Sequence, residues 1–149
     1  MTRDGVSVPV AANVAGPPEI VAAVAAGADG VGLLRTEFVF LGVDHLPTED
    51  EQEGVYRAAA EALGGRPLVL RTLDVGADKP LPCLTREAEP NPSLGLRGLR
   101  LGLRHPGLLA DQLRAALRVA ADHDVRLMFP MVATLEELHE AREDRKSVV

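Results

Sequence analysis

The sequence predicts an α/β fold built on parallel strands. Three observations carry this. Short apolar runs alternate with stretches of helical period in the order β-α-β-α-β-(loop)-α-β-α, and strict alternation implies parallel strands joined by right-handed crossovers. The helix starts are spelled out by prolines and by two Thr-x-x-Glu capping boxes. Two apolar runs end in the same tripeptide, Leu34-Arg35-Thr36 and Leu70-Arg71-Thr72. Buried strands that turn polar at their C-terminal ends are how open sheets and barrels assemble sites.

Val6 to Val14 reads as the first strand, with Pro9 suggesting an edge or an early position. Gly16-Pro17-Pro18-Glu19 then opens a helix, with proline in the first turn and an acid near the positive dipole end. Ile20, Val21, Val24 and Ala25 form its apolar face, and Gly27 stops it. The second strand is Val31 to Leu34. Thr48-Glu49-Asp50-Glu51 caps a helix that buries Val55, Ala58, Ala59, Ala62 and Leu63, before Gly64-Gly65 ends it. Leu68 to Leu70 is the third strand.

No long period runs from Asp74 to Leu96, and Pro80, Pro82, Pro90 and Pro92 mark this stretch as loop. A Gly-Leu-Arg tract, Leu94 to Arg104, precedes a helix starting near Pro106. That helix has Leu109, Leu113, Ala116, Leu117 and Ala120 on one face. Val125 to Val132 is the fourth strand. Thr134-Leu135-Glu136-Glu137 opens a helix that has barely begun when the sequence stops. Four βα units form either a small open sheet or half of an eight-stranded barrel. Half a barrel would leave its inner face and both edges uncovered.

A length of 149 residues suits one domain, and 46% hydrophobic content is enough for a core. With 3% aromatics, that core is mainly Ala, Val and Leu. No apolar run approaches a membrane span, and Met1-Thr2-Arg3-Asp4 leads into no secretory segment, so a cytoplasmic location is expected. The single cysteine, Cys83, excludes an internal disulfide framework and a Cys-based metal cluster. A net charge of -6 argues against a general nucleic-acid surface.

The chemistry concentrates after the third strand, where Arg71, Asp74, Asp78 and Lys79 follow one another. Two parallel strands ending in Leu-Arg-Thr aim two guanidinium groups at one mouth. Their planar, forked donors suit phosphate and carboxylate, so the site reads as one for a phosphorylated small molecule. Arginine greatly outnumbers lysine throughout, so an arginine's position carries the argument and its identity does not. Asp74, Asp78 and Glu37 fit better as partners that hold the arginines than as metal ligands. His45, His105, His123 and His139 fall in loop, cap or helix positions without shared spacing. Met128 and Met131 fit core packing or rim lining.

Several stretches together resemble one family. They are Gly30-Val31-Gly32-Leu33-Leu34-Arg35-Thr36-Glu37-Phe38, Leu46-Pro47-Thr48-Glu49, Arg71-Thr72-Leu73-Asp74-Val75-Gly76-Ala77-Asp78-Lys79-Pro80-Leu81-Pro82, Glu89-Pro90-Asn91-Pro92-Ser93-Leu94-Gly95-Leu96-Arg97 and Met128-Phe129-Pro130-Met131. Their order and wording resemble the phosphoenolpyruvate-binding barrel of the phosphoenolpyruvate–protein phosphotransferases, Enzyme I of the bacterial sugar phosphotransferase system. The likeness runs from about Val6 to Glu143. Pyruvate phosphate dikinase and phosphoenolpyruvate synthase share that barrel but spell the third-strand motif differently. They are the alternative family reading, and a non-catalytic module binding a phosphorylated metabolite is the alternative of another class.

The resemblance implies a partial TIM (β/α)8-type barrel, about the first four βα units. Residues 1–143 would be the N-terminal half of the barrel domain, and residues 144–149 a non-native tail. It also implies transfer of the phosphoryl group of phosphoenolpyruvate to a protein histidine with Mg2+, a phosphocarrier protein HPr as partner, and a homodimeric parent. By resemblance Arg35, Arg71, Arg97 and Lys79 bind substrate, and Ala77 stands where the family often has glycine. The metal carboxylates, an Asn-Asp motif, a proton-donating cysteine and the phospho-accepting histidine are expected outside this sequence. The chain alone is therefore expected to be inactive.

Overall fold

The computed structural model describes residues 1–41, 43–76, 81 and 89–147. Its elements in chain order are β1 (Ala11–Val14), α1 (Pro17–Ala25), β2 (Gly30–Arg35), α2 (Glu37–Leu41), α3 (Glu49–Ala62), β3 (Leu68–Arg71), α4 (Gly98–Arg104), α5 (Pro106–Ala120), β4 (Val125–Met128) and α6 (Leu135–Ser147). The four strands form one sheet in the order β1-β2-β3-β4, every pair parallel. The expected α/β class with parallel strands is what the chain adopts.

Burial alternates along the strands, and the register turns that alternation into two faces. Leu34 pairs with Leu70, and Leu70 with Leu127. Together with Val14, Val31 and Leu68 these side chains meet Ile20 of α1, Tyr56, Ala59 and Ala60 of α3, and Ala115, Ala116 and Val119 of α5 in one core. The three helices therefore cover the same face. The opposite face carries Arg35, paired with Arg71, and Met128, paired with Arg71 from the other side. Arg126 and Met128 on that face are exposed. Each fully buried leucine of the core contributes roughly 1.5–3 kcal/mol relative to exposure.

Capping follows the sequence. The Thr48 hydroxyl accepts the Glu51 N–H at 3.3 Å, and the Glu51 carboxylate accepts the Thr48 N–H at 2.8 Å. Such a box is worth about 1 kcal/mol. At α6 the Thr134 hydroxyl accepts the Glu137 N–H at 3.2 Å, and Glu137 accepts the Thr134 N–H at 3.2 Å. Across α3 and α5, Glu49 meets Arg114 at 2.8 Å and Arg118 at 2.7 Å, and Glu53 meets Arg118 at 3.2 Å.

Several expectations need correction. The first strand is Ala11–Val14 instead of Val6 to Val14. Val6, Val8 and Val10 are exposed, and Pro9 has no N–H for a ladder. The fourth strand stops at Met128, because Pro130 cannot donate and Met131 turns the chain at φ 64°. In α1, Ile20 is buried but Val21 and Ala25 face water; in α3, Ala58 is exposed while Gln52 and Tyr56 are buried. In α5, Val119 is buried and Leu117 and Ala120 are half-buried, so the face is rotated toward Gln112. The Gly-Leu-Arg tract contains a helix, α4, and α2 follows directly on the first Leu-Arg-Thr. The last helix is 13 residues long, so it has done more than begin.

The turn from α4 to the strand ends depends on one glycine. Gly98 has φ 56°, and a Cβ there would lie 3.0 Å from both the Pro130 carbonyl oxygen and Met131 Cγ. The Leu99 N–H donates to that same Pro130 carbonyl at 3.0 Å. This contact seats the start of α4, with Arg97 as its N-cap, against the chain leaving β4.

Candidate anion site at the strand ends

Arg35 and Arg71 are the last residues of β2 and β3, and they are register partners. The repeated tripeptide thus becomes two matched strand ends. Arg71 is held from two sides. Its Nη2 lies 2.7 Å from Glu37 Oε1 and its Nη1 lies 3.2 Å from Asp74 Oδ2. Arg97 Nε donates to the other Asp74 oxygen at 3.1 Å. Arg35 stacks over the Phe38 ring at 4.9 Å, a cation–π distance, and its Nη2 lies 3.9 Å from Glu19. The side chains of Glu37 and Asp74 are only 3% and 9% exposed, so these pairs sit in a low-dielectric pocket of the surface.

The expected pairing of Asp74 and Glu37 with arginine is what the structure contains. It brings Arg71 and Arg97 together through Asp74 and sets Arg35 beside Arg71 along the sheet. Lys79 and Asp78 lie outside the described residues, as does Cys83. Both Arg35 and Arg71 retain a buried Nε–H with no acceptor among the described residues. A buried guanidinium N–H without a partner is costly. Two of them at neighbouring strand ends mark a place where an anionic acceptor is favourable.

A second layer lies behind the arginines, and sequence reasoning missed it. The Thr36 hydroxyl donates to the Arg71 carbonyl at 2.7 Å. Gln112, from α5, donates through Nε2 to Thr36 Oγ1 at 3.2 Å and to the Tyr56 hydroxyl at 3.0 Å. The Leu73 N–H donates to Gln112 Oε1 at 2.7 Å. Tyr56 donates to Gln52 Oε1 at 3.1 Å, and Gln52 Nε2 donates to the Pro47 carbonyl at 3.0 Å. Burial pushes the Tyr56 phenol well above its ordinary range, so it remains a donor. The available signal was a polar residue, Gln112, within the apolar stripe Leu109-Leu113-Ala116.

The histidines stand apart from this cluster. His45 bridges Asp44 and Glu51 at the start of α3, at 3.3 Å and 3.2 Å. His105 caps α5, His123 precedes β4 and His139 lies in α6. Among the described residues no three His, Cys, Asp or Glu side chains converge as a metal site. Nor is any described helix long and apolar enough to cross a membrane.

The chain is thus an α/β protein with arginines at adjacent strand ends of a parallel sheet, and sequence comparison gives its family. A family model described as PEP-utilising enzyme, PEP-binding domain, matches residues 1–148, and the chain belongs to that family. Among its relatives, a multiphosphoryl transfer protein of Rhodobacter capsulatus is 51% identical over 95% of this chain and 17% of its own length. A phosphoenolpyruvate-protein phosphotransferase of Geobacillus stearothermophilus is 46% identical over 95% of this chain and 25% of its own. The phosphoenolpyruvate-protein phosphotransferase of Staphylococcus carnosus has the same identity and coverage. The chain thus spans a quarter or less of the length of these relatives.

Proposed function

We propose that this chain is part of a phosphoenolpyruvate–protein phosphotransferase, and that Arg35 and Arg71 clamp the phosphate of phosphoenolpyruvate. One observation carries the reading. Two arginines occupy paired positions at adjacent parallel strand ends, each with a buried Nε–H lacking an acceptor among the described residues. Arg97 and Lys79 complete the proposed clamp. Arg97 is tied to it through Asp74, whereas Lys79 rests on the family motif.

Phosphoryl transfer asks little covalent work of the protein. Positioning and charge stabilisation dominate, and three guanidinium groups would offset the charge that spreads over the transferring group. The reaction we assign to the whole enzyme moves that group from phosphoenolpyruvate to a histidine of a separate domain, which passes it to the phosphocarrier HPr. Glu37 and Asp74 are committed to arginines, so we place the Mg2+ ligands of the whole enzyme outside this chain. The helices on one face, with the arginines on the other, support a partial TIM-type barrel over residues 1–143. We further propose that residues 144–149 are a non-native tail, that the protein is cytoplasmic and that the whole enzyme is a homodimer.

The test is titration of the chain with phosphoenolpyruvate, followed by calorimetry. Arg35→Ala and Arg71→Ala should each weaken binding at least tenfold. Arg126→Ala, at an exposed position lower on the same face, should leave it unchanged. Equal binding by all four proteins would refute the assignment.

A further inference from the structure

The Gln112 side chain is buried, 1% exposed, and comes from a helix on the far side of the sheet from the arginines. Its amide nevertheless reaches both strand ends. One side-chain proton goes to Thr36, the residue after Arg35, and the carbonyl oxygen receives the N–H of Leu73, two residues after Arg71. Thr36 passes the connection on to the Arg71 carbonyl. The second amide proton goes to Tyr56, which is anchored through Gln52 to the Pro47 carbonyl.

The direction of every bond in this chain is determined. Pro47 offers only a carbonyl, which fixes the Gln52 amide as donor, its oxygen as acceptor from Tyr56, and Tyr56 as acceptor from Gln112. The Leu73 N–H independently fixes Gln112 Oε1 as the acceptor end. Both ends of the network therefore agree on one orientation of the Gln112 amide. A fully satisfied buried network specifies one geometry.

We propose that Gln112 is the positioning residue of the two-arginine site. It sets the relative placement of the Arg35 and Arg71 strand ends, so that both meet one phosphate. The inference rests on reading Arg35 and Arg71 as the phosphate clamp. Van der Waals packing alone would hold the strands in register but would not fix the corners after them, where regular pairing has stopped.

The experiment compares Gln112→Met, Thr36→Val and Leu113→Ala in the full chain. The first removes the amide at similar length, and the second removes its Thr36 link without changing shape. The third cuts a cavity in the same helix, within the cluster of Leu99, Leu109 and Ala141, and removes none of the network's hydrogen bonds. Phosphoenolpyruvate affinity is measured by calorimetry, and thermal midpoints are recorded alongside. Gln112→Met and Thr36→Val should each weaken binding about tenfold, and the double variant no more than either alone. Leu113→Ala should lower the midpoint at least as much yet bind within twofold of the unaltered chain. If Gln112→Met does not fold, Thr36→Val carries the same comparison. Affinity that follows the midpoint in all variants overturns the proposal.

A second readout separates this inference from the clamp reading. If the unaltered chain binds no phosphoenolpyruvate, the clamp reading fails. The guanidinium Nε–Hε resonances of Arg35 and Arg71 in the free chain then decide the positioning role. Their displacement in Gln112→Met and Thr36→Val but not in Leu113→Ala upholds it. Unmoved resonances in all three overturn it.

Discussion

Replacing Arg71 with methionine removes the partner of a buried carboxylate. Glu37 Oε1 lies 2.7 Å from Arg71 Nη2, and Glu37 Oε2 has no donor among the described residues. Asp74 keeps Arg97 after the substitution, so Glu37 bears most of the loss. At an effective dielectric of about 20 the Coulomb term of a contact this close is about 6 kcal/mol, before desolvation is subtracted. Breaking one side of a buried pair costs about 3–5 kcal/mol. Arg71 is 18% exposed, so water partly screens the site, and we expect about 3 kcal/mol. Urea unfolding measures this directly. Glu37→Gln in the same background should recover about 2 kcal/mol, because a neutral amide tolerates burial better than an unpaired carboxylate. An Arg71→Met chain within 1 kcal/mol of the original, or no recovery in the double variant, would refute the claim that this buried pair constrains the strand end.

Four further outcomes are expected. Gly98→Ala should cost about 1–2 kcal/mol in urea unfolding, since it places a Cβ at φ 56° against the Pro130 carbonyl. Hydrogen bonds to Asp44 and then Glu51 raise the pKa of His45 above the ordinary 6.5. Its stabilising contribution is therefore complete below pH 6.5 and is lost as pH rises through the higher folded value; His45→Gln should flatten that part of a stability–pH curve. Glu51 behaves oppositely. The Thr48 N–H, the Thr48 hydroxyl and His45 hold its carboxyl below the ordinary 4.5, so its contribution is lost on acidification below that value. Finally, the chain supplied with phosphoenolpyruvate, magnesium and a separate histidine domain should transfer no phosphate; phosphohistidine detected by mass spectrometry would contradict this.

Local chemistry made most of the fold legible. Apolar runs, capping residues and prolines predicted the strands and main helices because each depends on a few neighbouring residues. The apolar runs extend to Val6 and Val132, beyond the strands Ala11–Val14 and Val125–Met128, because an apolar run continues past the point at which its backbone has strand partners. Periodicity places Val21, Ala58 and Leu117 on apolar stripes, but it identifies a helical stripe without fixing its rotation. That rotation comes from contact with other elements, and it turned Gln52, Tyr56 and Gln112 inward.

The sequence by itself determined that two Leu-Arg-Thr corners would end two parallel strands, and the family wording around them named phosphoenolpyruvate. It also indicated that Asp74 and Glu37 would hold arginines, because opposite charges lay close along the chain. Only the tertiary structure decided that Arg35 and Arg71 pair in register, that the covering helices share one face, and that Gln112 joins the two corners. Those facts depend on strand register and helix rotation, which are set by packing between residues tens of positions apart; their one local trace is Gln112, a polar residue within an apolar stripe.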